Sequence, residues 1–119
     1  IKGARVGILG LTFKEDVPDL RNSRVFDIVG ELQDYGVDVL GHDPVAAAEE
    51  IAREADGLRL VALDGLDELD AVVIAVGHRE FKALGAQRIR QMVKPGGVVV
   101  DLKGLFSQGD FAETAYWRL

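Results

Sequence analysis

The sequence predicts a doubly wound α/β domain built on a parallel sheet, and three observations lead there. Short apolar runs rich in branched residues, such as Arg5-Val6-Gly7-Ile8-Leu9-Gly10 and Ala71-Val72-Val73-Ile74-Ala75-Val76, recur along the chain. They are apolar throughout rather than alternating, which is how strands buried on both faces read. Between them lie longer stretches with helical spacing, the connections that parallel strands require. The chain has 119 residues, 48% hydrophobic and 29% charged, the size and composition of one globular domain. A chain of this length buries roughly two-thirds of its unfolded surface and needs no metal or disulfide staple.

The first strand spans residues 5–10. A loop runs through Arg21, and a helix follows over residues 24–35, with Ser23 as its expected N-cap and Gly36 as its stop. Val25, Ile28, Val29 and Leu32 fall at three- and four-residue spacing, one apolar stripe for the sheet. Residues 37–41 form the second strand, ending at His42-Asp43-Pro44. The alanine-rich residues 45–55 form a helix with Glu49, Glu50 and Glu54 on its wet side. Residues 58–62 make a short third strand, residues 63–70 a turn or one and a half helical turns, and residues 71–76, the most apolar run, a central fourth strand. A helix is expected over residues 80–93. Lys94-Pro95-Gly96-Gly97 is a turn, and residues 98–101 form the fifth strand. The last eighteen residues, with Phe106, Phe111, Tyr116 and Trp117, show no period and are expected to pack on the sheet edge or to meet a partner surface.

Five parallel strands with right-handed crossovers give a three-layer, Rossmann-like sandwich of strand order 3-2-1-4-5. In such sheets the ligand crevice lies at the carboxyl ends of the strands where the order reverses. Here that point falls between the loop after the first strand, residues 11–21, and the loop after the fourth, residues 77–80.

Composition removes much chemistry. With 20 acidic against 14 basic residues the net charge is −6, so the surface as a whole repels a polyphosphate and nucleic-acid binding is not expected. There is no cysteine, hence no disulfide, thiolate metal site or cysteine nucleophile, and His42 and His78 are too far apart in sequence for a metal-ligand motif. No apolar run is long enough to span a membrane and no signal-peptide core opens the chain, so a cytoplasmic location is expected. The first residue is not methionine, which reads as a fragment of something longer.

The run Gly7-Ile8-Leu9-Gly10-Leu11-Thr12 lacks the three spaced glycines of a dinucleotide fingerprint. The loop that follows is long and contains Pro18, and long loops at a switch point tend to bind something. In it, Phe13 can stack on a base or sugar, and Lys14 is either a phosphate or carboxylate partner or a solvated lysine. Arg21 precedes a helix N-terminus, where an anion is favoured, or pairs with Asp19 or Asp16. Lys103, after the fifth strand, joins them on the same edge, and three cations there make a local anion site. Asp43 ends the second strand as a ribose-binding acid or as the cap of the next helix. His78 is a proton carrier or a polar loop histidine.

Taken together, Gly10-Leu11-Thr12-Phe13-Lys14-Glu15-Asp16-Val17-Pro18-Asp19-Leu20-Arg21-Asn22-Ser23, His42-Asp43-Pro44, Gly77-His78-Arg79-Glu80-Phe81 and Asp101-Leu102-Lys103-Gly104 resemble the C-terminal nucleotide-sugar-binding domain of the UDP-glucose/GDP-mannose dehydrogenase family. The Phe-Lys-Glu and His-Arg-Glu-Phe forms are most similar to the branch that oxidises UDP-N-acetylhexosamines for surface polysaccharides. The resemblance implies an NAD-dependent four-electron oxidation of the sugar C6 alcohol to a carboxylate, with residues 1–119 as a single domain covering the UDP end of a UDP-sugar substrate. It implies substrate contacts from Phe13, Lys14 and Lys103, and a contact from Arg21 to the NAD phosphates across a domain cleft. Lysine stands at 103 where the glucose-oxidising branch commonly has arginine. The family's catalytic cysteine, its N-terminal NAD-binding domain and its central helical domain have no counterpart here, so the chain by itself is expected to be inactive and to form homo-oligomers only through those other domains. Read from the residues alone, a free-standing regulatory module binding NAD or a mononucleotide stays open, and a reading frame upstream of Ile1 distinguishes the two.

Overall fold

The computed structural model describes residues 3–55, 57–111 and 114–118. Six parallel strands form one sheet in the order β3-β2-β1-β4-β5-β6: β1 (Arg5–Leu9), β2 (Asp38–His42), β3 (Arg59–Leu60), β4 (Leu69–Ile74), β5 (Val93–Asp101) and β6 (Ala115–Arg118). Successive side chains of β1 serve opposite faces. Ile8 joins Val25, Val29 and Ile51 beneath helices α1 (Val25–Asp34) and α2 (Ala48–Glu54). Leu9 joins Phe81, Ile89 and Met92 beneath α3 (Arg79–Leu84) and α4 (Ala86–Arg90). That two-sided burial is why β1 and β4 read as unbroken apolar runs. The order reverses between β1 and β4, and Gly10 makes the reversal tight: its φ is +96°, and a Cβ there would stand 2.6 Å from that of Val76. No described helix is long and apolar enough to cross a membrane.

Four expectations need correction. The sheet has six strands rather than five, because the tail returns as β6, pairing Val98 with Ala115 through Asp101 with Arg118. Residues 94–97 are a bulge inside β5 rather than a turn before it. Leu69 pairs with Val93 and Ala71 with Val98, so Pro95 is extruded where no ladder N–H is required. The single helix over residues 80–93 is broken into α3 and α4 at Gly85, whose φ +85° and ψ 156° are open to glycine and little else. Finally, Ser23 is not a strong N-cap. Its hydroxyl donates to the Leu11 carbonyl at 2.9 Å, and the Val25 amide reaches it only at 3.4 Å.

Two buried aspartates at strand ends fasten the carboxyl edge. Asp101, ending β5, accepts the Tyr116 hydroxyl of β6 at 2.6 Å and the Phe106 amide at 2.9 Å through Oδ2, and the Lys103 amide at 3.2 Å through Oδ1. This pairing holds the loop carrying Lys103 against the last strand. Burial raises the Asp101 pKa, but the hydrogen bonds, with Tyr116 foremost, outweigh it and bring it below the usual value. Asp43, following β2, does the same for the other half of the edge. Its Oδ1 accepts the amides of Val45 and Ala46 at 2.8 and 2.9 Å, and its Oδ2 accepts the Leu11 amide at 2.7 Å and faces the His78 Nε2 at 3.0 Å. Burial again works toward a raised pKa, and the bonds from His78, Leu11, Ala46 and Val45 together hold it at about 2.

Two outcomes are expected. Gly85→Ala meets no atom at its new Cβ, so it costs only the backbone strain, roughly 1–3 kcal/mol in denaturant unfolding. Because the Asp43 pKa is lower folded than unfolded, its stabilisation is complete above the unfolded value of 3.8 and is lost as pH falls through about 2. It amounts to about 2 kcal/mol. An acid titration of stability should therefore steepen between pH 4 and pH 2, and Asp43→Asn should lower stability at neutral pH while flattening that limb.

Candidate functional site

The loop between β1 and α1 is the longest described segment between a strand and a helix, and it is built as a closed lobe. Its neck is drawn shut by the Phe13 amide donating to the Asp19 carbonyl at 2.7 Å and by Ser23 holding Leu11. Asp16 and Asn22 adopt left-handed φ of +62°, a conformation these two residue types tolerate better than most. The lobe leans across the sheet edge onto the loop after β4. There the Asp16 amide donates to Nδ1 of His78 at 2.9 Å, and the Arg79 amide donates back to the Asp16 carboxylate at 2.9 Å. This bond from Arg79 is the main reason the Asp16 pKa lies below its ordinary value.

His78 therefore fills the switch point. The imidazole is wholly buried, and because Nδ1 accepts a backbone N–H, the ring proton sits on Nε2, aimed at Asp43 Oδ2 and within 3.2 Å of the Thr12 hydroxyl. Thr12 donates its own proton to the Lys14 carbonyl at 2.9 Å. Neither Asp43 nor His78 is open to a ligand. Asp43 anchors the lobe and the turn that leads into α2 and is neither a ribose acceptor nor the cap of that helix, which starts from Ala47 with no side-chain cap bond. His78 has no exposed face from which to carry a proton.

The open space lies beside the lobe, on the α1 side of the edge. A cleft of about 290 Å³ is lined by Thr12, Phe13, Asn22, Arg24, Leu102 and Lys103, among others, with Ile28, Ala75 and Val76 giving it an apolar floor. It brings together Phe13 and Lys103 from opposite ends of the chain. Phe13 as a residue is 53% exposed. Arg24 was counted in the sequence only as a helix residue, yet its place at the mouth of α1 makes it a third polar wall of this cleft. Asn22 was likewise overlooked. A polar residue with left-handed φ directly before a helix is the signal that marks it.

Lys14 and Arg21 stand apart. Lys14 is exposed on the lobe and does not line the cleft. Arg21 forms a two-pronged pair with Asp19, Nε to Oδ1 at 3.0 Å and Nη2 to Oδ2 at 3.1 Å, and borders a different hollow of about 220 Å³ with Pro18, Glu50 and Arg53. That pair holds the Asp19 carboxyl below the usual range and raises Arg21. The cations at this edge thus divide by charge balance. Arg21, Arg24 and Arg79 are matched by Asp19, Asp27 and Asp16, whereas neither the Lys14 nor the Lys103 ammonium has a hydrogen bond or ion pair among the described residues. No group of three or more potential metal ligands occurs among those residues.

The sequence and the fold have counterparts in known proteins. Residues 7–108 match the model of the UDP-glucose/GDP-mannose dehydrogenase family, UDP binding domain. UDP-N-acetyl-D-glucosamine 6-dehydrogenase of Pseudomonas aeruginosa is 44% identical over 108 residues, 91% of this chain and 25% of that protein. Protein CapL of Staphylococcus aureus is 38% identical over 120 residues, all of this chain and 28% of its own length. The crystal structure of NDP-N-acetyl-D-galactosaminuronic acid dehydrogenase from Methanosarcina mazei Go1 has the same fold, with a TM-score of 0.81 at 21% identity, over 99% of this chain and 24% of that one. The chain spans about a quarter of the length of these relatives. With a family match over most of its residues and identities of this size across nearly its whole length, the chain belongs to the UDP-glucose/GDP-mannose dehydrogenase family, as its UDP-binding domain.

Proposed function

We propose that the cleft between Phe13 and Lys103 holds the UDP end of a UDP-sugar, and that the chain serves an NAD-dependent dehydrogenase oxidising the sugar C6 alcohol to a carboxylate. UDP-N-acetylhexosamine is the preferred substrate class, in keeping with the 44% identity to a UDP-N-acetyl-D-glucosamine 6-dehydrogenase. The observation that carries the reading is the meeting of an exposed aromatic face and an uncompensated ammonium in one cleft at the carboxyl edge of the sheet. A uracil or ribose stacks on Phe13, and the diphosphate draws on Lys103 and Arg24, with Lys14 reaching over the rim from the lobe. The apolar floor sharpens those charge interactions by excluding water.

NAD does not fit this chain's own switch point. His78 fills the space, Asp43 has given its lone pairs to four protein donors, and residues 7–12 lack the glycine fingerprint. This weighs against a free-standing NAD module. The cofactor, the cysteine chemistry and the oligomer contacts fall to an N-terminal and a central domain beyond residues 1–119, which leaves this chain inactive by itself. Arg21, with 86% of its side chain exposed beside Asp19, offers the outer face of its guanidinium to NAD phosphates across a cleft between domains.

Titrating the 119-residue chain with UDP should shift the amides of Thr12, Phe13 and Lys103, and Lys103→Ala should weaken binding by roughly 1–3 kcal/mol, the scale of a charge-assisted hydrogen bond. Preferential binding of NAD near Gly10 would overturn the assignment. In the full-length protein, Arg21→Ala should raise the KM for NAD more than that for the sugar nucleotide; the opposite pattern would mean that the two contacts are exchanged.

A further inference from the structure

We infer that His78 is the positioning residue of the cleft: its buried imidazole holds the lobe of residues 11–22 in the shape that presents Phe13 and Lys14 to the nucleotide. The inference rests on the reading that UDP occupies the cleft. No ligand can touch His78, since its side chain is entirely enclosed, so any influence on binding passes through the lobe. Both ring nitrogens are committed to groups distant in sequence. Nδ1 takes the Asp16 amide, 62 residues away, and Nε2 faces Thr12 and Asp43, 66 and 35 residues away.

The Asp16 contact is one half of a reciprocal clasp, closed by the Arg79 amide on the Asp16 carboxylate. It is placed where the backbone most needs holding. Asp16 carries a left-handed φ, a conformation that a loop keeps only if its surroundings enforce it. The Thr12 contact acts at the other end of the lobe, one residue from Phe13. An acceptor on one side and a donor on the other, inside a rigid ring packed 5.5 Å from the Phe81 ring, suit histidine and no smaller polar residue. Asparagine can reproduce the acceptor at Nδ1, but it cannot also reach Asp43.

The test compares the wild-type chain with His78→Phe and His78→Asn, reading amide exchange and UDP affinity separately. In His78→Phe, exchange at Asp16 and Phe13 should accelerate at least tenfold while that at Val72 and Val73 in β4 is unchanged, and the Kd for UDP should rise roughly tenfold, as for one lost hydrogen bond. His78→Asn should recover the protection of Asp16 and most of the affinity. Unchanged exchange in the lobe overturns the inference, as does a disordered lobe that binds UDP as well as before. If the wild-type chain does not bind UDP while the lobe still loosens in His78→Phe, the nucleotide reading fails and the hold of His78 on the lobe stands. Should His78→Phe not fold, the ring nitrogen shifts of the wild type decide: a proton on Nε2 with Nδ1 coupled to the Asp16 amide supports the inference, and the opposite tautomer overturns it.

Discussion

The carboxyl edge of this sheet hangs on one buried charge. The Asp43 carboxylate gathers the start of the lobe at Leu11, the turn into α2 at Val45 and Ala46, and the loop after β4 at His78. An unpaired carboxylate in that position would cost several kcal/mol. Four donors converge on it instead, so the loops of three neighbouring strands are not independent: none can move without leaving part of the charge unsatisfied. Asp101 repeats the device for the β5 and β6 side. The cleft lies between the two anchors, walled by residues adjacent to each.

The same arrangement explains how a chain of net charge −6 presents a site for an anion. Four of the aspartates at this edge are used up by the protein itself. Asp43 and Asp101 are enclosed by amides and ring or hydroxyl donors, and Asp16 and Asp19 are matched to Arg79 and Arg21. Without a side-chain partner there among the described residues are Lys14 and Lys103, and also the carboxylates Glu15 on the lobe and Glu80 beside Arg79. The charged side chains that line the cleft itself, Arg24 and Lys103, are both cationic, opposite in sign to the overall charge, and bulk electrostatics says nothing about them.

How much of this was legible in the sequence follows from the range of the interactions involved. Strands β1 and β4 were readable because burial on both faces leaves a local mark, an unbroken apolar run. Strand β6 was not, since it is four residues at an exposed edge of which only Tyr116 is buried and Trp117 is 70% exposed, and it is held by its ladder to β5 and the Tyr116 bond to Asp101. The apolar spacing of Phe81, Leu84, Ile89 and Met92 runs on past Gly85, which masks a break that lies in one backbone angle. At the site, the topological rule brought Phe13 and Lys103 to one edge, because strand order decides which loops are neighbours. It did not separate Lys14 and Arg21 from the cleft. That depends on the lobe folding back on itself, through the Asp19 pairings and the His78 clasp, and contacts across more than sixty residues leave no pattern in a sequence. Neither alternative for Asp43 describes its place: it ties the turn before α2 rather than capping that helix, and its hold on the lobe leaves no local mark in the sequence.

The bond between Asp101 and Tyr116 also orders the assembly of the edge in time. On a ribosome, Asp101 emerges fifteen residues before the tyrosine that completes its shell. Until β6 arrives, the carboxylate lacks its shortest partner and β5 is an open edge with unpaired backbone groups. The half of the cleft built on Phe13 has all its partners once His78 and Arg79 have been made, while the half that carries Lys103 waits for β6 to pair with β5.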